Sequence, residues 1–165
     1  STVLALRENG EILATMRLEL LEEMDMVERK MECRWVFESV CFPVMILSKA
    51  ATRSGHQGRG LNAVLRHAAL KLAASWGARQ LIGTFTAGSP RENSMKAMGY
   101  RFYTNEEGWY KADYQAKAPV IVAVLDLETD LERASAECRR IAGAELEKFP
   151  WQGPVPERKL VTVVK

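Results

Sequence analysis

The hexapeptide Gln57-Gly58-Arg59-Gly60-Leu61-Asn62 separates an apolar run, Val44 to Thr52, from an amphipathic segment, Leu61 to Trp76. The apolar run is predicted to be a strand. The amphipathic segment is predicted to be a helix, since the apolar residues of this segment recur at helical spacing. Backbone N–H groups of a glycine turn and of the helix that it opens would converge on one small volume. The pattern predicts a phosphate-sized anion site, to which Arg59 adds a charge-assisted contact.

The glycine turn does not match two familiar nucleotide motifs. The chain has no G-x-x-x-x-G-K-[ST] and no G-x-G-x-x-G after a first strand with an acidic residue about twenty positions on. A nucleoside-triphosphate loop and a dinucleotide fingerprint are therefore excluded. Gly58 and Gly60 lack a Cβ and would let the backbone approach a different phosphate ligand.

The strand, the turn and the helix resemble the acyl-CoA pocket of GCN5-related N-acyltransferases, whose motif runs through [RQ]-x-x-G-x-[GA] into a helix. Asn62 stands where that motif has Gly or Ala. The segment Glu92 to Phe102 resembles the same family's closing segment, in which an Asn, here Asn93, begins a short helix that ends in a Gly before an aromatic residue. The resemblance covers residues 44 to 102.

A narrower resemblance concerns the strand. Ile46 to Thr52 is similar, in degraded form, to the Glu-x-Ser-Arg-x-x-Val strand of enzymes that make N-acyl amino acids and acyl-homoserine lactones. Ile46 replaces the Glu and Lys49 replaces the Arg. In many relatives a Tyr supplies an acid at the position of Met95, so that acid is absent here.

The resemblance implies an α+β fold with a mixed central sheet flanked by helices, extended here by a C-terminal helix. We expect residues 1 to 165 to form a single domain. The family usually opens with a strand and one or two helices that line the acceptor site, whereas this chain opens on what corresponds to the second strand. Truncation and divergence both stay open as explanations.

The implied activity is transfer of an acyl group from acyl-CoA or an acyl carrier protein to the amine of a small, amino-acid-like acceptor. The alternative is a non-catalytic module that binds acyl-CoA or an acyl carrier, in which the acid–base residues have been lost. Met95 and Ile46 favour the alternative. The donor would be acyl-CoA or acyl-phosphopantetheine, with no metal, and a homodimer is left open.

Two sets of site residues are predicted. Glu38 is the predicted catalytic base, and His56, Glu92, Tyr100 and Tyr103 are the other acid–base candidates. The predicted donor-binding residues are Lys49, Ala50, Ala51, Thr52, Gln57, Gly58, Arg59, Gly60, Leu61, Asn62 and Asn93.

Asn93, the basic cluster near the glycine turn and His67 can each be explained without a functional role. Asn93 is as well explained as a helix cap, and the basic cluster of Arg53, Arg59 and Arg66 as a solvated face. His67, on the predicted helix, is interpreted as a structural or surface residue.

Composition limits the function classes. The net charge of +2 is spread along the chain, which gives no reason to expect a nucleic-acid partner. The three cysteines are scattered without a C-x-x-C, so neither a disulfide framework nor a zinc site is predicted. No apolar run reaches the roughly twenty residues of a membrane span, and no signal peptide opens the sequence. We therefore expect a cytoplasmic protein.

The remaining elements are predicted from turns and apolar patterns. Asn9-Gly10 indicates a hairpin between strands at Thr2 to Leu6 and Ile12 to Leu20. Residues 21 to 33 are predicted to be helical or irregular, and 34 to 40 are left open between helix and strand. Gln80 to Thr86 is a further apolar run.

The C-terminal third is predicted in the same way. Strands are expected at Arg101 to Tyr114, with a turn at 105 to 108, and at Val120 to Leu127. A helix from Leu131 to Lys148 would be capped by Thr129 or Asp130. Residues 160 to 164 form an edge strand or trail free.

Overall fold

A computed structural model describes residues 1–24, 40–103, 120–151 and 163–164. Its strands are β1 (Thr2–Glu8), β2 (Glu11–Leu21), β3 (Val44–Thr52), β4 (Gln80–Thr86), β5 (Arg101–Tyr103), β6 (Val120–Asp126) and β7 (Val163–Val164). Its helices are α1 (Leu61–Ser75), α2 (Arg91–Met98), α3 (Leu127–Ala142) and α4 (Glu145–Lys148).

In these residues the seven strands form one sheet in the order β5-β6-β4-β3-β2-β1-β7. The pairs β3–β4 and β1–β7 are parallel, and the other neighbours are antiparallel. The predicted mixed sheet is therefore confirmed.

The hairpin predicted from Asn9-Gly10 is present. Both residues have positive φ, 52° and 81°, which is the conformation that a tight two-residue turn between twisted strands requires. Antiparallel pairing runs from Glu8 opposite Glu11 to Thr2 opposite Leu18. The C-terminal residues 163 and 164 add the edge strand β7 beside β1.

The sheet has a large core on one face and a smaller cluster on the other. Helices α1 and α3 pack over the first face, where Leu65, Leu70 and Ala134 are fully buried. On the opposite face Val44, Ile46, Ile82, Val122 and Val124 form the smaller cluster. Ile46 stands where the enzymes that make N-acyl amino acids and acyl-homoserine lactones have a Glu, and here it is a core side chain.

Strands β3 and β4 have the predicted bounds. Helix α1 ends at Ser75, one residue earlier than predicted, and Trp76 is its C-terminal cap residue. Helix α2 begins at Arg91, two residues before Asn93, and ends at Met98, with Gly99 as its C-terminal cap residue at a φ of 98°. A left-handed glycine at that position is a common helix stop.

The last long helix departs from the prediction. It begins at Leu127 because the Asp126 carboxylate accepts hydrogen bonds from the N–H groups of Glu128, at 2.9 Å, and Thr129, at 3.2 Å. The predicted caps at Thr129 and Asp130 were wrong, since both residues lie inside the first turn. The helix was predicted to run to Lys148, but it ends at Ala142, with Gly143 as its C-terminal cap residue. The short α4 then covers Glu145–Lys148.

Several predictions fall outside the described residues. They are the excursion of residues 25 to 33, the open segment up to Ser39, and the turn at 105 to 108. Within the described ranges, no helix is long and apolar enough to cross a membrane.

We predict that Asp126→Ala lowers the free energy of unfolding by about 1 kcal/mol, because it removes the carboxylate that caps α3. Thr129→Ala, at the cap expected from sequence, should cost less than about 0.5 kcal/mol. Urea denaturation of both variants measures the difference. An equal loss for the two would contradict Asp126 as the cap.

The same carboxylate predicts a pH dependence. Burial raises the pKa of Asp126, but hydrogen bonds from Thr129, Glu128 and Gln80 and the charge of Arg101 together lower it below its ordinary value. The stabilisation is then complete above the unfolded pKa of about 3.9 and is lost as the pH falls through the folded pKa. Asp126→Asn should remove this dependence while it retains a cap.

Candidate functional site

The two parallel strands at the centre of the sheet separate soon after they pair. β3 and β4 are in register only at Val44–Gln80, Met45–Leu81 and Ile46–Ile82, although the strands continue to Thr52 and Thr86. Between the diverging ends lies a cleft of about 370 Å³. β3 therefore separates from its parallel neighbour within the sheet.

A bulge in β3 forms one wall of this cleft. Arg17 pairs with Ser48, whereas Thr15 pairs with Ala51, so that Lys49 and Ala50 lie opposite the single residue Met16. Lys49 has a φ of 48°. A bulge removes peptide groups from the regular ladder, which leaves them for another partner.

The cleft combines apolar and cationic walls. Met16, Leu47, Phe85 and Met95 supply apolar surface, and Ser48, Thr84 and Thr86 supply hydroxyl groups. The titratable side chains among the described lining residues are all cationic: Arg17, Lys49, Arg66 and Arg91. The cleft therefore suits an anionic ligand with apolar parts.

Arg66 is the most buried of these cations. It projects from α1, is 8% exposed, and donates a 2.9 Å hydrogen bond from Nη1 to the Tyr100 hydroxyl. Its guanidinium carbon also lies 5.8 Å from the centre of the Tyr100 ring. No carboxylate in the described residues pairs with it, so its charge is only partly compensated.

Arg91 lies at the first residue of α2, where the residue as a whole is exposed. Desolvation in the cleft and the nearby charge of Arg66 lower the pKa of the Arg91 guanidinium. A guanidinium stays protonated at neutral pH even so. Arg66 and Arg91 thus place two positive charges near each other.

Arg17 is more fully satisfied. Its Nε donates to Ser48 Oγ at 3.0 Å, and its Nη2 lies 3.5 Å from a carboxylate oxygen of Glu19. This side chain ties β2 to β3 beside the bulge.

The two glycines of the turn have different surroundings. Both have positive φ, 80° at Gly58 and 79° at Gly60. A Cβ at Gly58 would meet no atom of a described residue within 4 Å, whereas a Cβ at Gly60 would lie 2.8 Å from the Ile141 carbonyl oxygen in α3. Gly60 is therefore needed for packing within the chain, and only Gly58 leaves room for a ligand.

Arg59 is engaged within the protein. Its guanidinium donates to Glu145 at 3.0 and 3.3 Å and to Glu8 at 3.4 Å, and its Nη1 lies 2.8 Å from His56 Nδ1. The hydrogen bonds to Glu145 and Glu8 raise the pKa of Arg59. Arg59 thus anchors the turn to β1 and α4, and His56 is part of the same contact.

The N–H groups of residues 57 to 62 form no backbone hydrogen bond with another described residue. The first bonds of α1 come later, from Ala63 and Val64 to the Gly60 carbonyl. Unpaired N–H groups at a helix start are where a phosphate binds most readily.

The predicted donor-binding residues fall into separate places. Lys49 and Ala50 line the cleft, while Ala51 and Thr52 continue the pairing of β3 with β2. Gln57 to Asn62 form the turn and the start of α1, and Asn93 is exposed in the first turn of α2.

The acid–base candidates that lie within the described residues do not line the cleft. Glu92 is held by Lys96 Nζ at 2.9 Å and by Gly88 N at 3.2 Å, and these contacts lower the pKa of its carboxyl. Tyr100 is buried behind Arg66, and burial raises the pKa of its hydroxyl. Tyr103 packs with the smaller cluster on the opposite face of the sheet. Glu38 lies outside the described residues.

Sequence reasoning missed the arrangement of the cleft cations. Arg66 lies in a helical row with Ala63, Leu70 and Ala73, all of them buried. An arginine within an apolar row at helical spacing was the available signal that it faces inward. Arg91 carried no such signal. Among the described residues, no three His, Cys, Asp or Glu side chains group as metal ligands would.

Comparisons with known proteins agree with this geometry at the level of the fold. No family model matches the sequence, and no curated protein does. Solved structures do match, among them BjaI, a CoA-dependent acyl-homoserine lactone synthase, with a TM-score of 0.56 at 13% identity. The chain has the GCN5-related N-acyltransferase fold.

Two further structures carry the same N-acyltransferase fold. FeeM, an N-acyl amino acid synthase from uncultured soil microbes, has a TM-score of 0.51 at 14% identity, over 78% of this chain and 74% of FeeM. The ribosomal-protein-S18-alanine N-acetyltransferase of Escherichia coli has a TM-score of 0.50 at 14% identity, over 73% of this chain and 65% of the enzyme. The match to BjaI covers 82% of this chain but only 61% of BjaI.

We predict that Gly60→Ala destabilises the fold more than Gly58→Ala does. Both substitutions place a Cβ at positive φ, at a cost of about 1–2 kcal/mol. Gly60→Ala adds the clash with the Ile141 carbonyl, for roughly 1–3 kcal/mol more. Denaturant unfolding of the two variants measures the difference, and equal losses would contradict the assigned packing role of Gly60.

Proposed function

We propose that the protein is an N-acyltransferase that moves an acyl group from acyl-CoA, or from an acyl carrier protein, to the amine of a small amino-acid-like acceptor. The observation that carries the proposal is the separation of β3 from β4 after three residue pairs, with a bulge at Lys49 and Ala50 in the cleft wall. A pantetheine arm contains two amides and needs such unpaired strand groups as partners.

The backbone of the bulge is suited to a thioester. An N–H group freed from the ladder at residues 49 and 50 can donate to the thioester carbonyl oxygen, where negative charge develops during attack. Met16 and Met95 lie in the same cleft and offer flexible apolar surface to the acyl chain.

The phosphate end of the donor would lie at the glycine turn. The N–H groups of residues 57 to 62, which form no backbone hydrogen bond with another described residue, and the positive end of α1 provide the attraction. Arg59 contributes by fixing the turn rather than by contact, because its guanidinium is already bound to Glu145 and Glu8.

The cations of the cleft favour an acceptor that carries a carboxylate. Arg91 lies at the mouth and Arg66 deeper, and a guanidinium binds a carboxylate through paired hydrogen bonds. Positive charges also disfavour the protonated form of a nearby amine, which lowers its pKa and supplies more of the nucleophile. An acceptor ammonium in this cleft would therefore lose its proton to water more readily.

The reaction is then a direct transfer. The neutral amine attacks the thioester carbon, the tetrahedral oxyanion collapses with cleavage of the C–S bond, and an amide and a thiol result. The nitrogen loses one proton to water and the departing thiolate gains one. Positioning and exclusion of bulk water would supply most of the rate.

A second function has one observation in its favour. The described lining of the cleft contains no carboxylate, histidine, cysteine or tyrosine. A binding module for acyl-CoA or an acyl carrier needs the cleft and the turn but no acid or base. Thiol release from acyl-CoA in the presence of amines separates the two functions, since the module would bind the donor without turnover.

We predict that Gly83→Val abolishes donor binding. Gly83 lines the cleft in β4, and a branched side chain there would fill the space that the donor arm requires. Gly83→Ala is the matched control, because among the described residues its Cβ would meet only the Leu47 carbonyl oxygen, at 3.8 Å, an ordinary contact.

Thermal unfolding with and without acetyl-CoA and palmitoyl-CoA measures this effect. A ligand that binds only the native state raises the melting temperature. At a ligand concentration a hundredfold above Kd, it stabilises the native state by about 2.7 kcal/mol. The wild type and Gly83→Ala should shift with one of these donors, and Gly83→Val should not. An undiminished shift in Gly83→Val would place the donor elsewhere.

We predict that Arg91→Gln raises KM for an acceptor amino acid about 10- to 100-fold, since a hydrogen bond to a charged group contributes about 1.5–3 kcal/mol. The KM of the corresponding decarboxylated amine should change little. Lys96→Gln, an exposed change on the same helix outside the cleft, is the control. A rise in KM for the donor instead would assign Arg91 to the donor's phosphates.

A further inference from the structure

A second cavity lies apart from the cleft, between α1, β1 and the C-terminal helices. It encloses about 490 Å³, within the size range of small-molecule sites. Leu6, Val64, Leu72, Leu146, Phe149 and Trp151 form its apolar wall. No described residue lines both cavities, but Arg66 lines the cleft and His67 lines this pocket from the next position of α1.

His67 is the polar group that this apolar wall leaves unsatisfied. The side chain is 7% exposed, and its Nε2 has no hydrogen-bond partner in the described part of the chain. Buried polar groups almost always have a partner, because an unsatisfied one costs free energy. The sequence interpretation of His67 as a structural or surface residue does not account for a buried Nε2 without a hydrogen bond to a described residue.

Two cations accompany His67. Lys71 and Arg139 are exposed and line the same pocket, and neither is in an ion pair with a described residue. Burial, and then the charges of Lys71 and Arg139, lower the pKa of the His67 imidazole. No acidic side chain is among the described residues that line this pocket. The polar side is thus cationic and the rest is apolar.

We propose that this pocket binds an aliphatic carboxylate of the fatty-acid class. The chain would replace water along the apolar wall, and the carboxylate would lie among His67, Lys71 and Arg139. A neutral imidazole that carries its proton on Nε2 donates to a carboxylate oxygen and so gains the missing hydrogen bond. The inference uses none of the cleft residues, and only the use of CoA to occupy the cleft in its test rests on the proposed function.

The test is a titration of the full chain with dodecanoate below its micelle concentration, followed by calorimetry, with CoA present in excess to occupy the cleft. One molecule should bind per chain. Dodecanol, which has the same chain without the charge, should bind more weakly. The chain has two histidines, so NMR can follow each imidazole. The pKa of His67 should rise on addition of dodecanoate, whereas the resonances of the His56 ring should not change.

Variants separate the charge from the apolar wall. The double variant Lys71→Gln, Arg139→Gln should weaken dodecanoate binding about tenfold and leave dodecanol binding unchanged. Ala68→Leu, which adds volume within the pocket, should weaken both ligands. Arg79→Gln with Arg101→Gln removes two cations that do not line the pocket and is the charge-matched control.

Three results would overturn the proposal. The first is no binding of dodecanoate, or binding of several molecules per chain that Ala68→Leu does not change. The second is equal affinity for dodecanol and dodecanoate. The third is loss of binding when CoA is present, which would place the ligand in the cleft.

Discussion

The divergence of β3 from β4 is the constraint on which the site depends. Each strand is held by its other neighbour: β4 pairs with β6 along its whole length, from Gln80–Asp126 to Thr86–Val120, and β3 pairs with β2 from Val44 to Thr52. Only three parallel pairs join the two halves. Because each half of the sheet is stabilised independently, the strands can part without the loss of either, and the gap becomes a cleft bounded by backbone. The bulge at Lys49 and Ala50 bends β3 on the side of β2 and contributes to the same divergence.

The electrostatics of the cleft depend on that backbone geometry. Arg66 is buried at its side, and no carboxylate of a described residue pairs with it. A buried cation without a carboxylate is costly unless other groups compensate. Tyr100 compensates in part through its hydroxyl and its ring. Arg91 adds a second positive charge rather than a negative one. An anionic ligand would complete the compensation. In the proposed function, the cations of the cleft would therefore lower the stability of the free protein and favour binding of the ligand.

The sequence predicted the parts of the fold that local rules determine. Asn9-Gly10 predicted the hairpin, and the apolar runs predicted β3 and β4. Turn conformation and strand burial depend on residues that are close together in the sequence, so both could be predicted from it. The start of α3 was mispredicted because Asp126 is both the last residue of β6 and the cap, and an apolar strand pattern obscures a helix that begins at once. The roles of Arg59 and Gly60 could not be predicted either. Glu8, Glu145 and Ile141 are distant in sequence, and only the tertiary fold brings them to the turn.

These distant contacts change how the glycine turn is understood. A pattern with two glycines around an arginine suggests three groups that all face a phosphate. Here Gly60 makes room for the carbonyl of Ile141, and Arg59 is neutralised by two carboxylates. Both contacts hold the turn against β1, α3 and α4, so the N–H groups at the start of α1 are fixed in position before any ligand arrives. In the proposed function the phosphate would then be recognised by preorganised backbone and by the helix dipole, and the arginine would act only through the position of that backbone.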